Sequence, residues 1–118
     1  MKIENIKFKA KRLDNGEWVK GSLVNTPFGT FILWYEGATC HKKEVNPETV
    51  CQRTGMRDCC GVDIYEHDML EYDLGPFSKT RDVMWLNGTY QLNLEPLYSY
   101  ISHGIQVKVV GNLIDKYY

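Results

Sequence analysis

The sequence lacks the long apolar runs and the regular helical spacing of membrane-spanning and helical proteins. None of its apolar runs approaches the ~18–20 residues that a helix needs to cross a bilayer. No stretch keeps the i, i+3, i+4, i+7 apolar spacing of a long amphipathic helix. The amino terminus alternates Lys with apolar residues, whereas a signal peptide needs a continuous hydrophobic core. We therefore expect an intracellular, cytoplasmic protein that does not enter membranes.

Basic charge and catalytic motifs are also scarce. The chain has 14 Lys and Arg against 15 Asp and Glu, and its pI of 6.3 is far from the values above ~9 that are typical of domains gripping duplex DNA. The G-x-S-x-G, P-loop and H-E-x-x-H motifs do not occur. Broad nucleic-acid affinity is disfavoured, nothing in the residues indicates catalysis, and we expect no cofactor.

The four cysteines do not form a C-x-x-C knuckle. Cys and His are the donors that zinc prefers, but their spacing here does not favour convergence on one ion. With no export signal, free thiols are expected instead of disulfides. We therefore predict neither a disulfide nor a metal site from these Cys and His positions, which are Cys40-His41, Cys51, Cys59-Cys60 and His67.

What the sequence does contain is the alternation and turn chemistry of β-strands. Ile6, Phe8 and Ala10 alternate with lysines, and Asp14-Asn15-Gly16 predicts a hairpin into a second strand over residues 18–24. Asn87-Gly88 predicts another hairpin. Residues 30–35, 64–72 and 106–110 are further predicted strands, while residues 97–102 suit one helical turn or a strand. The prediction is one mainly-β domain over residues 1–118, built of bent antiparallel strands, barrel-like and with little helix.

The stretch from Thr54 to Tyr72 combines a turn, a strand and many acids. Asp58-Cys59-Cys60-Gly61 predicts a tight turn, because Asp accepts from the backbone two residues on and Gly tolerates positive φ. Residues 64–72 are predicted to form one kinked strand with a bulge near Glu66 to Asp68.

Six carboxylates lie in this region with no Lys or Arg between Asp58 and Phe77. They could hold calcium or act as an acid/base pair, but they lack the alternating oxygen ligands of an EF-hand loop. We expect a solvated turn and strand face, with Asp68 accepting backbone N–H bonds. The six are Asp58, Asp63, Glu66, Asp68, Glu71 and Asp73.

Three blocks of the sequence resemble the motifs of the YopX family. The main block runs Gln52-Arg53-Thr54-Gly55-Met56-Arg57-Asp58, then Gly61, then Ile64-Tyr65-Glu66-x-Asp68-Met69-Leu70. It is similar to the family's QxTGLxDxxGxxIYEGDI run, and Asn46-Pro47-Glu48-Thr49-Val50 is similar to the NPETV-like lead before it. Ile6-Lys7-Phe8-Lys9-Ala10 resembles the opening IKFRAW, and Val109-Val110-Gly111-Asn112-Leu113-Ile114 resembles the closing VIGNIY. His67 stands where the family usually has Gly, and Cys59-Cys60 where it has polar turn residues.

The resemblance implies a protein encoded by a phage or prophage, but it implies no defined chemistry. We expect the signature residues to be structural, with positive φ at Gly55 and Gly61. They are Thr54, Gly55, Asp58, Gly61, Ile64, Tyr65, Glu66, Asp68, Gly111 and Asn112.

Aromatic residues are abundant, with 15 Phe, Trp and Tyr in 118 residues. Rings with a polar tip bury large areas at protein interfaces at low entropic cost. A candidate interface is therefore formed by Tyr98, Tyr100, Tyr117 and Tyr118. The leading expectation is a non-enzymatic accessory protein that binds a protein partner or itself.

Two other uses of the rings stay open. Lys7, Lys9, Lys11 and Arg12 could supply charge beside Tyr or Trp rings in a stacking platform for single-stranded nucleic acid, as in a nucleic-acid-binding regulator. The rings could equally fill the core and its rim. An enzyme of unknown chemistry is a lower alternative.

Overall fold

The computed structural model describes residues 6–118, apart from the side chain of Leu74. Its strands are β1 (Phe8–Lys11), β2 (Trp18–Thr26), β3 (Gly29–Glu36), β4 (Thr39–Glu44), β5 (Cys51–Arg57), β6 (Asp63–Tyr65), β7 (Asp68–Leu74), β8 (Phe77–Leu86), β9 (Thr89–Leu92), β10 (Glu95–Pro96) and β11 (Val107–Asn112). The helices are α1 (Leu97–Ser102) and two 3-10 helices, Pro47–Thr49 and Leu113–Lys116. The predicted mainly-β fold is confirmed. Among residues 6–118, no helix has the length and apolar character to cross a membrane.

The strands form two antiparallel sheets with the orders β4-β3-β2-β1-β5-β6 and β10-β9-β8-β7-β11. Both orders are open-ended, so neither sheet closes on itself within residues 6–118. The chain packs as two compact units: unit 1 reaches to Arg53 and includes Tyr118, and unit 2 comprises Thr54–Tyr117. The expectation of a single domain over residues 1–118 stays a prediction.

Unit 1 is built from β1 to β4 and the first residues of β5. β1 and β2 pair from Phe8 opposite Gly21 to Lys11 opposite Trp18, which confirms the first predicted hairpin. The connection is a longer loop closed by the Gly16 N–H bond to the Arg12 carbonyl at 2.9 Å, with Gly16 at a φ of +72°. The alternation seen in the sequence directs every second side chain to one face of the sheet. The core of unit 1 consists of Ala10, Ile32 and Val45.

β4 was not predicted, because its residues are mostly polar or charged. It pairs with β3 from Phe31 opposite Glu44 to Glu36 opposite Thr39, at the edge of its sheet. Charged residues are common on edge strands, where they discourage pairing with another chain. A polar edge strand therefore does not show the apolar pattern by which buried strands are recognised.

Unit 2 contains the rest of β5 and all later strands. The two residues Asn87-Gly88 connect β8 and β9 with φ values of +51° and +78°, which confirms the second predicted hairpin. α1 follows β10, so residues 97–102 form the helical turn of the two alternatives. The unit is held by a core of eight buried residues: Ile64, Leu70, Tyr72, Val83, Leu92, Leu97, Tyr100 and Val107.

The single kinked strand predicted over residues 64–72 is wrong. A turn at Glu66-His67 divides it into β6 and β7, with His67 in the left-handed region at a φ of +68°. The bulge predicted near Glu66 to Asp68 is also absent there: the register shift lies in β11, between Val109 and Gly111 opposite β7. His tolerates positive φ better than most residues but carries no signal as clear as Gly, so the break was not visible in the sequence.

Candidate functional site

The carboxylate of Asp58 binds three backbone N–H groups in unit 2. Cys60 and Val62 donate to its Oδ1 and Val109 donates to its Oδ2, each at 2.9 Å. The predicted turn is present, because the Gly61 N–H donates to the Asp58 carbonyl at 3.0 Å and Gly61 has a φ of +80°. The side chain is only 8% exposed. Asp58 thus joins its own turn to a strand 51 residues away.

These contacts cover the free edge of the second sheet. β11 is the last strand in that sheet, and its outward groups would otherwise be open to pairing with another chain. The Val109 N–H donates to Asp58, and the Val107 carbonyl accepts from the Cys59 N–H at 2.9 Å. The signature turn therefore provides hydrogen-bond partners for the outward backbone groups of Val107 and Val109, and it prevents another strand from pairing with β11 there.

The hydrogen bonds also set the charge state of Asp58. Burial by itself would raise the pKa of the Asp58 carboxyl, but the N–H groups of Val109, Val62 and Cys60, with the nearby charge of Lys108, outweigh it. The pKa of Asp58 lies below its ordinary value. The carboxylate is therefore held ionised chiefly by backbone N–H groups.

Asp68 and Asn112 form a second buried junction in unit 2. The Tyr65 N–H donates to Asp68 Oδ2 at 2.8 Å, and Asn112 Nδ2 donates to Asp68 Oδ1 at 2.9 Å. Asn112 Oδ1 in turn accepts from the Ile114 N–H at 2.8 Å, which begins the last 3-10 helix. Asp68 is 1% exposed. The expected backbone bond to Asp68 is present, and the carboxylate connects the main signature block to the closing one.

The turn between β6 and β7 explains the family's glycine. His67 occupies a left-handed conformation that a Gly adopts without strain. Its Nε2 lies 3.8 Å from Oε2 of Glu66, and its buried Nδ1 has no hydrogen-bond partner. The departure from the family pattern therefore retains the turn geometry and adds a histidine to it.

The remaining signature residues are local supports, with one exception. Thr54 Oγ1 donates to the Ile64 carbonyl at 2.8 Å and accepts from the Met56 N–H at 3.1 Å. Gly55 has the expected positive φ, at +84°. Ile64 and Tyr65 are buried. Gly111 has neither a left-handed φ nor any atom within 4 Å of where a side chain would begin, so nothing in the structure explains a glycine there.

The residues considered as metal ligands do not converge. In the part of the chain that the structure describes, no three His, Cys, Asp or Glu side chains are placed to hold an ion. Cys51 is buried, whereas Cys40, Cys59 and Cys60 are exposed thiols. The Sγ atoms of the adjacent pair lie 3.9 Å apart. Desolvation and the neighbouring Cys60 raise the pKa of the Cys59 thiol, which lowers its nucleophilic fraction.

The four tyrosines of the candidate interface do not share one environment. Tyr100 is buried in unit 2, where its hydroxyl donates to the Leu92 carbonyl at 2.9 Å. Its place in an exposed interface is therefore wrong, since it packs edge-to-face on Tyr72 in the core. Tyr118, in unit 1, is half exposed, and its hydroxyl donates to Glu48 Oε2. Tyr98 and Tyr117 are exposed and stay candidates.

Unit 1 places lysines over aromatic rings, as the stacking alternative requires. The Nζ atoms of Lys9 and Lys11 lie 4.8 and 5.4 Å from the centre of the Trp18 ring. Lys42 Nζ lies 4.8 Å from the centre of the Phe31 ring. Arg12 instead pairs with Asp14 at 2.7 Å. Two of the four proposed cations are thus beside a ring, and Lys42 is a third that the sequence did not indicate.

A surface on the β8–β9–β10 hairpins in unit 2 was missed by sequence reasoning. Leu94 is 78% exposed at the turn between β9 and β10, beside a cavity of about 160 Å³. Met84 and Leu86 line the same cavity, together with Arg81. The only local signal was Asn93, a residue that favours left-handed turns, since a leucine in the next position argues against such a turn.

Comparisons with known proteins now place the chain. No curated protein matches it. A crystal structure of protein EF1440 from Enterococcus faecalis is similar, with a TM-score of 0.60 and 20% identity, and the match covers 92% of each chain. At that identity the likeness shows the fold alone. The family model described as YopX protein matches residues 7–116, nearly the whole sequence, and the chain therefore belongs to the YopX family.

Proposed function

We propose that this chain is a non-enzymatic accessory protein of a phage or prophage, which binds a protein partner in the cytoplasm of the bacterial host. The observation that carries the proposal is Leu94, an apolar side chain that is 78% exposed on a strained turn. The exposed thiols of Cys40, Cys59 and Cys60 suit a reducing compartment.

The strain at Leu94 is visible by comparison with a second turn in the same unit. Asn87-Gly88 and Asn93-Leu94 each join two antiparallel strands through two residues with positive φ. Turns of this kind favour Gly in the second position, where Gly88 has a φ of +78° and Leu94 has one of +65°. A leucine in that conformation costs about 1–2 kcal/mol. Strained residues that persist on a surface are concentrated at binding and catalytic sites.

The surroundings of Leu94 suit a protein contact. Its side chain projects at the rim of a cavity that Met84 and Leu86 line, and Met84 is itself 42% exposed. Asp82, Gln91 and Asn93 also line this cavity, so the apolar side chains lie within a polar rim, as they do at protein interfaces. Arg81 lies at the same cavity and supplies a polar rim.

The signature acids do not compete with this surface as the working site. Asp58 and Asp68 are buried and their oxygens accept N–H groups of the protein itself. Acid/base catalysis needs a carboxyl group within reach of a substrate proton. The two buried acids support a structural role for the signature and leave binding to exposed surfaces.

The test is affinity isolation from infected cells with the lysate digested by nucleases. The variant Leu94→Gly removes the side chain and relieves the strain, so a loss of binding would not come from misfolding. Phe28→Ser is the matched control, because Phe28 is 92% exposed on a turn in unit 1.

We expect the same protein partner with the wild type and with Phe28→Ser, and its loss with Leu94→Gly. Retention of every partner by Leu94→Gly would contradict the proposed surface. Loss of all partners on nuclease digestion would contradict protein binding itself. A paired variant, Tyr98→Ser with Tyr117→Ser, tests the two exposed tyrosines in the same experiment.

A further inference from the structure

We propose that the outer face of β2, β3 and β4 in unit 1 binds single-stranded nucleic acid. This face is defined by Val24, Phe31, Leu33, Tyr35 and Lys42. The inference concerns a different unit from the Leu94 surface and does not depend on it.

Strand register places these side chains on one face. Ser22 pairs with Leu33, and Leu33 pairs with Lys42, so the three form one row across the sheet. The neighbouring row contains Val24, Phe31 and the exposed Glu44, which pair in that order across β2, β3 and β4. The opposite face carries the core residue Ile32. Since side chains alternate between the two faces of a strand, the outer rows lie outside the core of unit 1.

The exposed members of this face combine rings with cations. Tyr35 is 70% exposed and Val24 is 39% exposed, while Lys42 is exposed and its Nζ lies over the Phe31 ring. Lys20 is exposed further along β2, two residues from Trp18, which has Lys9 and Lys11 over its ring. The face thus offers the Phe31 ring with a lysine over it and one exposed tyrosine, and β2 leads to the Trp18 ring with two further lysines.

This combination fits an unpaired strand better than a duplex. Bases of a single strand can stack on aromatic side chains, and lysines beside the rings can contact the phosphates. Residues 1–53 carry nine Lys and Arg against six Asp and Glu, although the whole chain is net acidic by one charge. A duplex offers no free base faces to rings, and the modest positive charge would grip its phosphates weakly.

The test is fluorescence anisotropy of labelled oligonucleotides at two salt concentrations. The probes are a 15-nucleotide oligo-dT, a 15-nucleotide oligo-rU and a 15-base-pair DNA duplex. The variants are Tyr35→Leu and Lys42→Gln, whose side chains are exposed and do not belong to the core. The control is Lys79→Gln, which removes an exposed lysine from β8 in unit 2.

We expect both single strands to bind more tightly than the duplex. Tyr35→Leu should weaken binding by about 5- to 150-fold, the range for loss of one stacked base. Lys42→Gln should reduce the slope of log affinity against log salt by about 0.7, the value for one phosphate contact on a single strand. Lys79→Gln should change neither quantity.

Three results would overturn the inference. One is the absence of oligonucleotide binding at low salt. Another is binding that Tyr35→Leu leaves unchanged, because such binding would come from electrostatic attraction alone and not from stacking of bases on the tyrosine ring. The third is a duplex bound as tightly as the single strands.

Discussion

The two units of the chain reach stability by different means and carry opposite charge. Residues 1–53 hold nine Lys and Arg against six Asp and Glu, whereas residues 54–117 hold five against nine. In unit 1, strands β2 and β3 approach closely at Gly21, a glycine that is not part of the family signature. In unit 2 buried carboxylates, Asp58 and Asp68, bind backbone N–H groups from distant segments.

This difference shows what the family signature encodes. Its ten residues all lie in unit 2, and its two buried acids accept N–H groups from other segments of that unit. The exposed residues proposed for binding, Leu94 in unit 2 and Tyr35 in unit 1, lie outside it. The signature therefore describes how unit 2 is held together.

The largest expected effect is at Gly21 in unit 1. A Cβ at this position would lie 2.1 Å from the Leu33 carbonyl oxygen and 3.2 Å from Trp34 Cβ. Because the nearest atom is backbone, Gly21→Ala should lower the free energy of unfolding by about 3 kcal/mol or more.

The control for Gly21→Ala is Gly111→Ala in unit 2, where no atom lies within 4 Å. Gly111→Ala should change the free energy of unfolding by no more than about 0.5 kcal/mol. Urea unfolding of both variants makes the measurement. Equal losses from the two would contradict the difference drawn between the units.

Asp58 should give unit 2 a characteristic sensitivity to acid. Because the pKa of Asp58 in the folded protein lies below its ordinary value, the carboxylate stabilises the fold above the unfolded pKa of about 3.9. This contribution is lost as the pH falls through the unfolded value toward the lower folded one. Asp58→Asn should cost about 1–3 kcal/mol at pH 7, with a smaller cost at pH 3.

Urea unfolding of wild type and Asp58→Asn between pH 7 and pH 3 measures this difference. Asp14 serves as the control acid, because its pKa is also lowered, by Arg12, but on an exposed surface of unit 1. Asp14→Asn should leave the pH profile nearly unchanged, since exposed ion pairs contribute little. An Asp58→Asn profile parallel to that of the wild type would show that the hydrogen bonds do not hold this carboxylate.

The smallest effect concerns the two matched turns of unit 2. Leu94→Gly should raise the free energy of unfolding by about 1 kcal/mol, because it removes a left-handed leucine. The reciprocal change Gly88→Leu should lower it by about 1–2 kcal/mol in the same turn geometry. Thermal unfolding of both variants is the measurement. A loss of stability in Leu94→Gly would mean that the side chain is a packing residue and not a strained anchor.

The parts of the fold that could be predicted are those that a short stretch of sequence specifies by itself. Asn87-Gly88 is a two-residue turn whose chemistry needs no distant partner, and the structure has it. Asn93-Leu94 adopts the same turn against the preference of leucine, so no local rule could find it. The turn at His67, which divides the strand predicted over residues 64–72, was missed for the same reason. Its left-handed φ is set by surroundings that the sequence pattern does not show.

Distant contacts explain what the sequence could not show at the site. The bond from the Val109 N–H to Asp58 spans 51 residues, and that from Asn112 to Asp68 spans 44. The acid-rich pattern suggested a solvated face, but two of the six carboxylates are buried by these contacts. Tyr100 was placed at a surface because a tyrosine suits one, while its hydroxyl in fact binds the Leu92 carbonyl inside the core.

The central claim is that the signature acids are structural, and Asp68 tests it most directly. Urea unfolding of Asp68→Ala is compared with that of wild type and of Asp63→Ala. Asp63 makes an ion pair with Arg57 at the surface and serves as the control carboxylate. Asp68→Ala should lower the free energy of unfolding by about 1–3 kcal/mol, because it removes the side-chain acceptor of the buried Tyr65 N–H and the nearer of the two acceptors of the Asn112 amide. Asp63→Ala should cost less than about 1 kcal/mol. If Asp68→Ala is as stable as the wild type or more so, the carboxylate is held under electrostatic strain and the structural account of the signature is contradicted.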